Sequence, residues 1–218
     1  FELQVLLHLY RKTGEADLKV KERFNAIVPG KPIFESNADN FQLVYADLAG
    51  QRYPFYKLGN TTRLYTMMTN VVVDRLKDLN DYRLFYYADP SPVKTAKGAA
   101  VDSWDSYLGF DPSMVYAELT TIFGGKDYSN VNSRYLELAN AEPVYVLSYA
   151  MLKFMLAEGA VRGWITSAAN THYTDGIKAS MKFTAGFTPD NVLFHHNRKM
   201  TDAYIYSYVA TDKVTLKT

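Results

Sequence analysis

The sequence predicts a mainly α-helical protein of helical hairpins joined by long irregular loops. Three observations predict this. Val144 to Phe183 reads as two helices about a tight corner. Apolar residues recur at helical spacing in Phe1–Lys12, Ala16–Ile27 and Thr62–Leu79. From Tyr82 to Tyr135 that periodicity dissolves into a stretch rich in aromatics, Gly and Pro.

The central hairpin is the clearest element. Ser148 suits the N-cap of a helix over Tyr149–Val161, whose apolar residues (Met151, Leu152, Phe154, Met155, Leu156, Val161) leave only Lys153 and Glu158 as charged breaks. A helix apolar almost all round is buried on more than one side. It is too short to span a bilayer, which takes roughly 20 residues. Gly163-Trp164-Ile165 makes the corner, so Trp164 is expected in the core. Thr166 or Ser167 starts the second helix, with Ala169, Tyr173, Ile177 and Met181 as its stripe. Such a pair resembles one tetratricopeptide-type unit of about 34 residues.

The other elements follow in order. Leu3, Leu6, Leu7 and Tyr10 give a first helix, closed at Thr13-Gly14. Val20, Phe24 and Ile27 face one side of a second, stopped at Val28-Pro29-Gly30. Phe41–Tyr45 suits a short strand. Asn60 or Thr61 is expected to cap a third helix to Leu79, with Leu64, Met67, Met68, Val71, Val72, Leu76 and Leu79 as its core stripe. Asp89-Pro90-Ser91-Pro92 forces a turn. Thr188-Pro189-Asp190 opens a helix toward Met200, and Tyr204–Tyr208 suits either strand or helix. No domain boundary is marked, so residues 1–218 read as a single α-helical domain.

Composition excludes several classes. With 24 basic and 23 acidic side chains the formal charge is +1, without the basic excess of a nucleic-acid binder. The absence of Cys excludes disulfides, thiol catalysis and Cys-based zinc sites. Neither a signal peptide nor a transmembrane run is visible, and the first residue is Phe1; a natural N-terminus removed by processing or design is expected. Eighteen Tyr bring aromatics to 15%. A ring with a hydroxyl suits half-wet surfaces, where sugars and peptides bind, and equally suits packing between helices.

Several stretches resemble one family in the same order along the chain. Val73-Asp74-Arg75-Leu76-Lys77-Asp78-Leu79-Asn80-Asp81-Tyr82-Arg83-Leu84, with Tyr87-Ala88-Asp89-Pro90, is similar to a segment of SusD/RagB-like proteins. Tyr107-Leu108-Gly109 matches their Tyr-x-Gly step. Tyr149-Ala150, Leu156-Ala157-Glu158, Arg162-Gly163-Trp164, Tyr173, Gly176-Ile177 and Ala179-Ser180-Met181 match their most recognisable stretch, and Arg23-Phe24 ends a similar early helix. The SusD-like 2 branch is nearest. Tyr82 departs from the usual Pro, and Gly159 from the common Ala. The resemblance implies a nutrient-binding, lipid-anchored outer-membrane protein of Bacteroidota-type bacteria. It would bind a glycan or a peptide beside a SusC-like TonB-dependent transporter, without catalysis or cofactor. It also implies that this chain is the middle portion of a longer protein, with the lipid anchor lying outside it.

A pyranose needs an aromatic ring under its C–H face and polar side chains at its hydroxyl rim. The irregular region supplies both, in Trp104, Tyr107, Tyr128, Asn130, Asn132, Arg134 and Tyr135, the expected ligand-binding residues. Asp102 and Asp105 lie nearby. A glycosidase would need two carboxylates about 5 or 6.5–9.5 Å apart; Asp102/Asp105 and Glu137/Glu142 are near in sequence, but 23 acidic residues yield such pairs by chance. No metal motif is present, and adjacent His195 and His196 would point apart on a helix. A helical scaffold that binds another protein is the competing expectation.

Overall fold

A computed structural model describes residues 1–58 and 66–217. In chain order its first elements are α1 (Glu2–His8), α2 (Val20–Gly30), β1 (Phe41–Leu43), α3 (Asn70–Leu79), α4 (Arg83–Tyr87), α5 (Pro92–Ala96) and α6 (Tyr116–Gly125). Then come α7 (Arg134–Glu137), β2 (Val144–Leu147), α8 (Tyr149–Val161), α9 (Ala169–Phe187), α10 (Val192–His195) and α11 (Asp202–Val209). The protein is mainly helical, as the periodicity predicts. Among the described residues no helix is long and apolar enough to cross a membrane.

Packing gathers the chain into two compact units. One comprises Phe1–Leu43, Val144–Phe183 and the residues from Ile205 onward; the other comprises Val44–Pro143 and Thr184–Tyr204. Both are assembled from discontinuous segments, so no linker composition marks a boundary.

In the first unit, Leu3, Leu6 and Leu7 of α1, Val20, Phe24 and Ile27 of α2, and Leu152 and Leu156 of α8 close one core with Trp164 and Ile165. Trp164 is buried and meets Phe24 edge-on at 5.4 Å, so the indole of the corner is a packing residue. The Ser148 hydroxyl accepts the Met151 N–H at 3.1 Å and caps α8 as predicted. Gly163 turns the corner at φ +69°, which a side chain would disfavour. The departure at Gly159 has a steric cause: a Cβ there would lie 2.4 Å from Phe24 Cε1. Pro29 does not stop α2 at Val28; it sits in the last turn, and the Lys31 N–H still closes onto the Ile27 carbonyl at 3.1 Å. β1 pairs antiparallel with β2, Gln42 opposite Tyr145. The sequence reading absorbed β2 into the hairpin.

In the second unit the helix expected from Thr62 is seen only from Asn70. Its proposed caps Asn60 and Thr61, and Leu64, lie outside the described residues. Met67 and Met68 are extended instead, because Met68 exchanges backbone hydrogen bonds with Ser129 and Phe110. Val71 and Val72 of the expected stripe are exposed, and Val73 is the buried residue. Gly109 explains the Tyr-x-Gly step: a Cβ would meet the Asn70 backbone nitrogen at 2.3 Å. The region from Tyr82 to Tyr135 is less irregular than its pattern, holding α4 to α7. Pro92 starts α5 beneath a Ser91 cap. α10 is only a turn, since His196 and Asn197 adopt left-handed φ of 46° and 63°. Tyr204, Tyr206 and Tyr208 lie on a helix, α11.

Candidate functional site

The second unit distributes the seven expected ligand residues over three neighbourhoods. Asn132, Arg134 and Tyr135 form the most buried. Arg134 donates from Nε to the Tyr86 carbonyl at 3.2 Å, from Nη1 to the Ala141 carbonyl at 3.0 Å, and from Nη2 to Glu142 Oε2 at 2.6 Å and to the Tyr135 hydroxyl. Asn132 donates to the Phe85 and Phe194 carbonyls, both at 3.1 Å, and accepts the Arg134 N–H at 3.0 Å. Asn132 and Arg134 are 0% exposed. Their donors tie α4, α7 and α10 together and satisfy carbonyls that would otherwise be buried unpaired. Burial raises the Tyr135 phenol strongly and pushes Tyr53, whose ring lies 5.5 Å away, up to about 12. These side chains hold the unit together and present little or no surface to a ligand in this conformation, unlike what residue type alone suggests.

Tyr128 and Asn130 form the second neighbourhood. Tyr128 is buried and stacks on Phe123 at 6.0 Å. Half-buried Asn130 accepts the Thr66 hydroxyl at its side-chain oxygen, 3.4 Å away, and the Asp89 N–H at its carbonyl, 2.9 Å away.

The third neighbourhood is different. Half-buried Trp104 leans on Phe85 at 4.7 Å and on Tyr82 at 6.1 Å. Tyr82 stacks on Tyr204 with ring centroids 3.7 Å apart and planes 11° from parallel. Tyr107 lies beneath, fully buried, edge-on to Phe85 at 5.0 Å, with its hydroxyl on the Val101 carbonyl. Arg198 crosses the platform: Nε donates to the Asp102 carbonyl at 3.0 Å and Nη1 to the Tyr82 hydroxyl at 3.2 Å, 5.5 Å from that ring's centroid. The Asp102 carboxylate is 3.8 Å from Nη2. The indole N–H of Trp104 has no hydrogen-bond partner among the described residues. Half-exposed rings with a positioned cation, a carboxylate and a spare donor make the kind of surface that receives a polyhydroxylated ring.

Of the seven, this platform keeps Trp104 on its open side. The sequence reading missed Tyr82, Tyr204 and Arg198. The signal for Tyr82 was its departure from the family's Pro. Arg198 and Tyr204 lie far along the chain, and nothing local marks them.

Three of the four carboxylates in the two acidic pairs are engaged. Glu142 is held by Arg134, Glu137 by Lys57 and Asp102 by Arg198. His195 Nε2 is 3.0 Å from Asp190 and His196 Nε2 is 3.2 Å from Asp89, so the adjacent histidines serve separate carboxylates. Among the described residues no three His, Asp or Glu side chains gather as a metal site.

A family model described as "starch-binding associating with outer membrane", SusD-like 2, matches residues 1–217. The chain belongs to the SusD-like family. A SusD homolog from Bacteroides fragilis is 41% identical and superimposes with a TM-score of 0.94 over 100% of this chain. A second SusD homolog from that species is 30% identical, TM-score 0.81 over 95%. An outer-membrane protein from Bacteroides vulgatus, described as a candidate for nutrient binding, is 28% identical, TM-score 0.84 over 99%. The chain spans about half the length of these relatives, 46%, 44% and 46%. No curated protein matches it. The family model carries the resemblance noted in the sequence along residues 1–217.

Proposed function

We propose that this SusD-like chain is part of a nutrient-binding protein of the outer membrane that captures a glycan, without catalysis, on the Trp104–Tyr82–Tyr204 platform. The observation that carries this is the platform itself, with three half-buried rings flanked by Arg198 and Asp102. A sugar's C–H face would lie on the rings, and its hydroxyls would meet the Trp104 N–H and the Asp102 carboxylate. The family's description supports a starch-type glycan and an outer-membrane location. A peptide is the other ligand class such a surface accepts. A SusC-like TonB-dependent transporter and a lipid anchor complete the reading. Tyr128, Asn130, Asn132, Arg134 and Tyr135 support the unit from within.

Titration calorimetry with maltooligosaccharides, other neutral glycans and mixed peptides, on wild type and Trp104→Ala, tests this. Binding weakened at least tenfold by Trp104→Ala, with the melting temperature nearly unchanged, is expected. Unaltered affinity would remove the platform from the site. A second reading, a protein-binding helical scaffold, draws on the exposed apolar ribbon of Phe41, Leu43, Val144 and Val146. It predicts no glycan binding and a stable complex with another protein that charges on this ribbon abolish.

A further inference from the structure

The second unit contains a pocket of about 220 Å³ lined by Tyr53, Phe55, Met68, Tyr87, Val131 and Tyr135. Four of these side chains are aromatic, and none is charged. An apolar cavity of about 150 Å³ already accommodates a benzene ring.

We propose that this pocket is a second binding site and that it takes a single aromatic ring carrying one hydrogen-bonding group, a phenol-type ring. Three observations converge on that ligand. The walls are preset: the Tyr53 N–H donates to the Ala139 carbonyl at 2.7 Å and the Lys57 N–H to the Leu136 carbonyl at 2.9 Å, which pins the Tyr53–Phe55 wall to the residues around α7. The rings already meet edge-on or tilted, Tyr53 lying 5.9 Å from Phe55 at 82° and 5.5 Å from Tyr135 at 31°. A guest ring extends that array with contacts of the same kind, which add to simple area burial. Met68 contributes a thioether, a favourable neighbour for an aromatic ring.

The hydroxyls decide the class. That of Tyr135 is held by Arg134 and Glu142, and that of Tyr87 lies 3.1 Å from the Thr184 hydroxyl. The Tyr53 hydroxyl has no hydrogen-bond partner among the described residues. Burial pushes it up to about 12, so at neutral pH it keeps its proton and can donate. The backbone of the remaining wall is paired as well: the Met68 N–H donates to the Ser129 carbonyl at 2.8 Å, its carbonyl accepts the Phe110 N–H at 3.0 Å, and the Val131 N–H donates to the Thr66 carbonyl at 2.7 Å. A pyranose would bring several hydroxyls to this one donor and leave the rest unpaired, and a charged group would meet no counter-charge on the walls. An aliphatic ring fills the same space but lacks the quadrupole that aromatic faces and edges recognise. A phenol-type ring supplies both the aromatic contacts and a partner for the Tyr53 hydroxyl.

The pocket shares no residue with the Trp104 platform, so each fails or stands separately. Methyl NMR on methionine-labelled protein tests it, because Met68 reports the pocket directly and Met68→Leu assigns its signal. Phenol is expected to shift that methyl saturably and toluene to do so more weakly, while cyclohexanol and a maltooligosaccharide shift it little. Tyr53→Phe should weaken phenol about fivefold, the loss of one hydrogen bond, and leave toluene unaffected. Phe55→Ala, at a side chain 36% exposed, should weaken both, and Trp104→Ala neither. Phenyl glucoside and N-acetyltyrosinamide in the same assay show whether the ring arrives on a sugar or on a peptide. The proposal is overturned if phenol leaves the Met68 methyl unmoved, if cyclohexanol matches phenol, or if Tyr53→Phe and Phe55→Ala leave binding unchanged. It is equally overturned if neither larger ligand binds, or if Trp104→Ala removes the phenol response.

Discussion

Replacing Gly159 by Ala should destabilise the protein, although Ala is the better helix former and the common residue of the family at this position. Gly159 lies inside α8. Relative to Gly, Ala in a helix interior gains about 1 kcal/mol. Against this, the added Cβ would sit 2.4 Å from Phe24 Cε1 and 2.7 Å from Cζ. Phe24 cannot yield freely: it is 0% exposed and wedged edge-on against Trp164. Overpacking a closed core costs about 1–3 kcal/mol, and contacts this short on a fixed ring belong at the upper end. The net expectation is a loss of about 1–2 kcal/mol, read as a lowered urea midpoint at unchanged slope. Gly176→Ala is the internal control. Its Cβ would lie 2.9 Å from Phe154 Cε1, but Phe154 is 38% exposed and can swing away, so that variant should be near neutral. Phe24→Leu should absorb part of the Gly159→Ala cost in a double-mutant cycle. Stabilisation by Gly159→Ala, or strict additivity with Phe24→Leu, would refute the steric account.

Leu156, 3% exposed beside Phe24 and Trp164 in the same core, should lose about 2–5 kcal/mol on replacement by Ala, measured by denaturant titration; a Leu156→Ala variant that keeps full stability but fails to bind ligand would contradict its assignment to packing. Glu142→Gln leaves the buried Arg134 guanidinium short of its counter-charge and should cost about 3–5 kcal/mol, with Trp104→Ala near neutral in the same assay. The Asp39 carboxyl is held below its ordinary 3.8 by the Glu35 and Ser36 amides; this stability is present above the unfolded value and lost as pH falls through the lower folded one, so carboxyl NMR should show Asp39 titrating below an ordinary exposed aspartate, and Asp39→Asn should remove that acid-dependent change. Tyr53, pushed up to about 12 chiefly by burial, favours the folded state below pH about 10, and that contribution declines between pH 10 and 12; phenolate absorbance in Tyr53→Phe should lack one late-titrating group.

The central hairpin was legible because its information is local. An apolar run, a Ser cap and a Gly corner place α8 and Trp164 whatever else the chain does. The ordered family motifs were legible for the same reason, down to Gly109, whose need is a backbone approach to Asn70 that only a missing side chain permits. The irregular region was harder. α4 to α7 are too short to show periodicity, and Met67 and Met68, helical by pattern, are drawn into extended backbone pairing with Ser129 and Phe110.

The residues proposed to meet ligand show the division most sharply. By itself the sequence determined helical class, family and which side chains have sugar-binding chemistry. It could not determine which of them reach solvent. Arg134 and Trp104 are equally suitable by type, yet one is spent on buried carbonyls and the other stands half open. Tyr82, Tyr204 and Arg198 become neighbours only because the residues before α4 and those that follow α10 converge within the second unit. Burial and convergence are sums over contacts distant in sequence, so only the tertiary structure decides them.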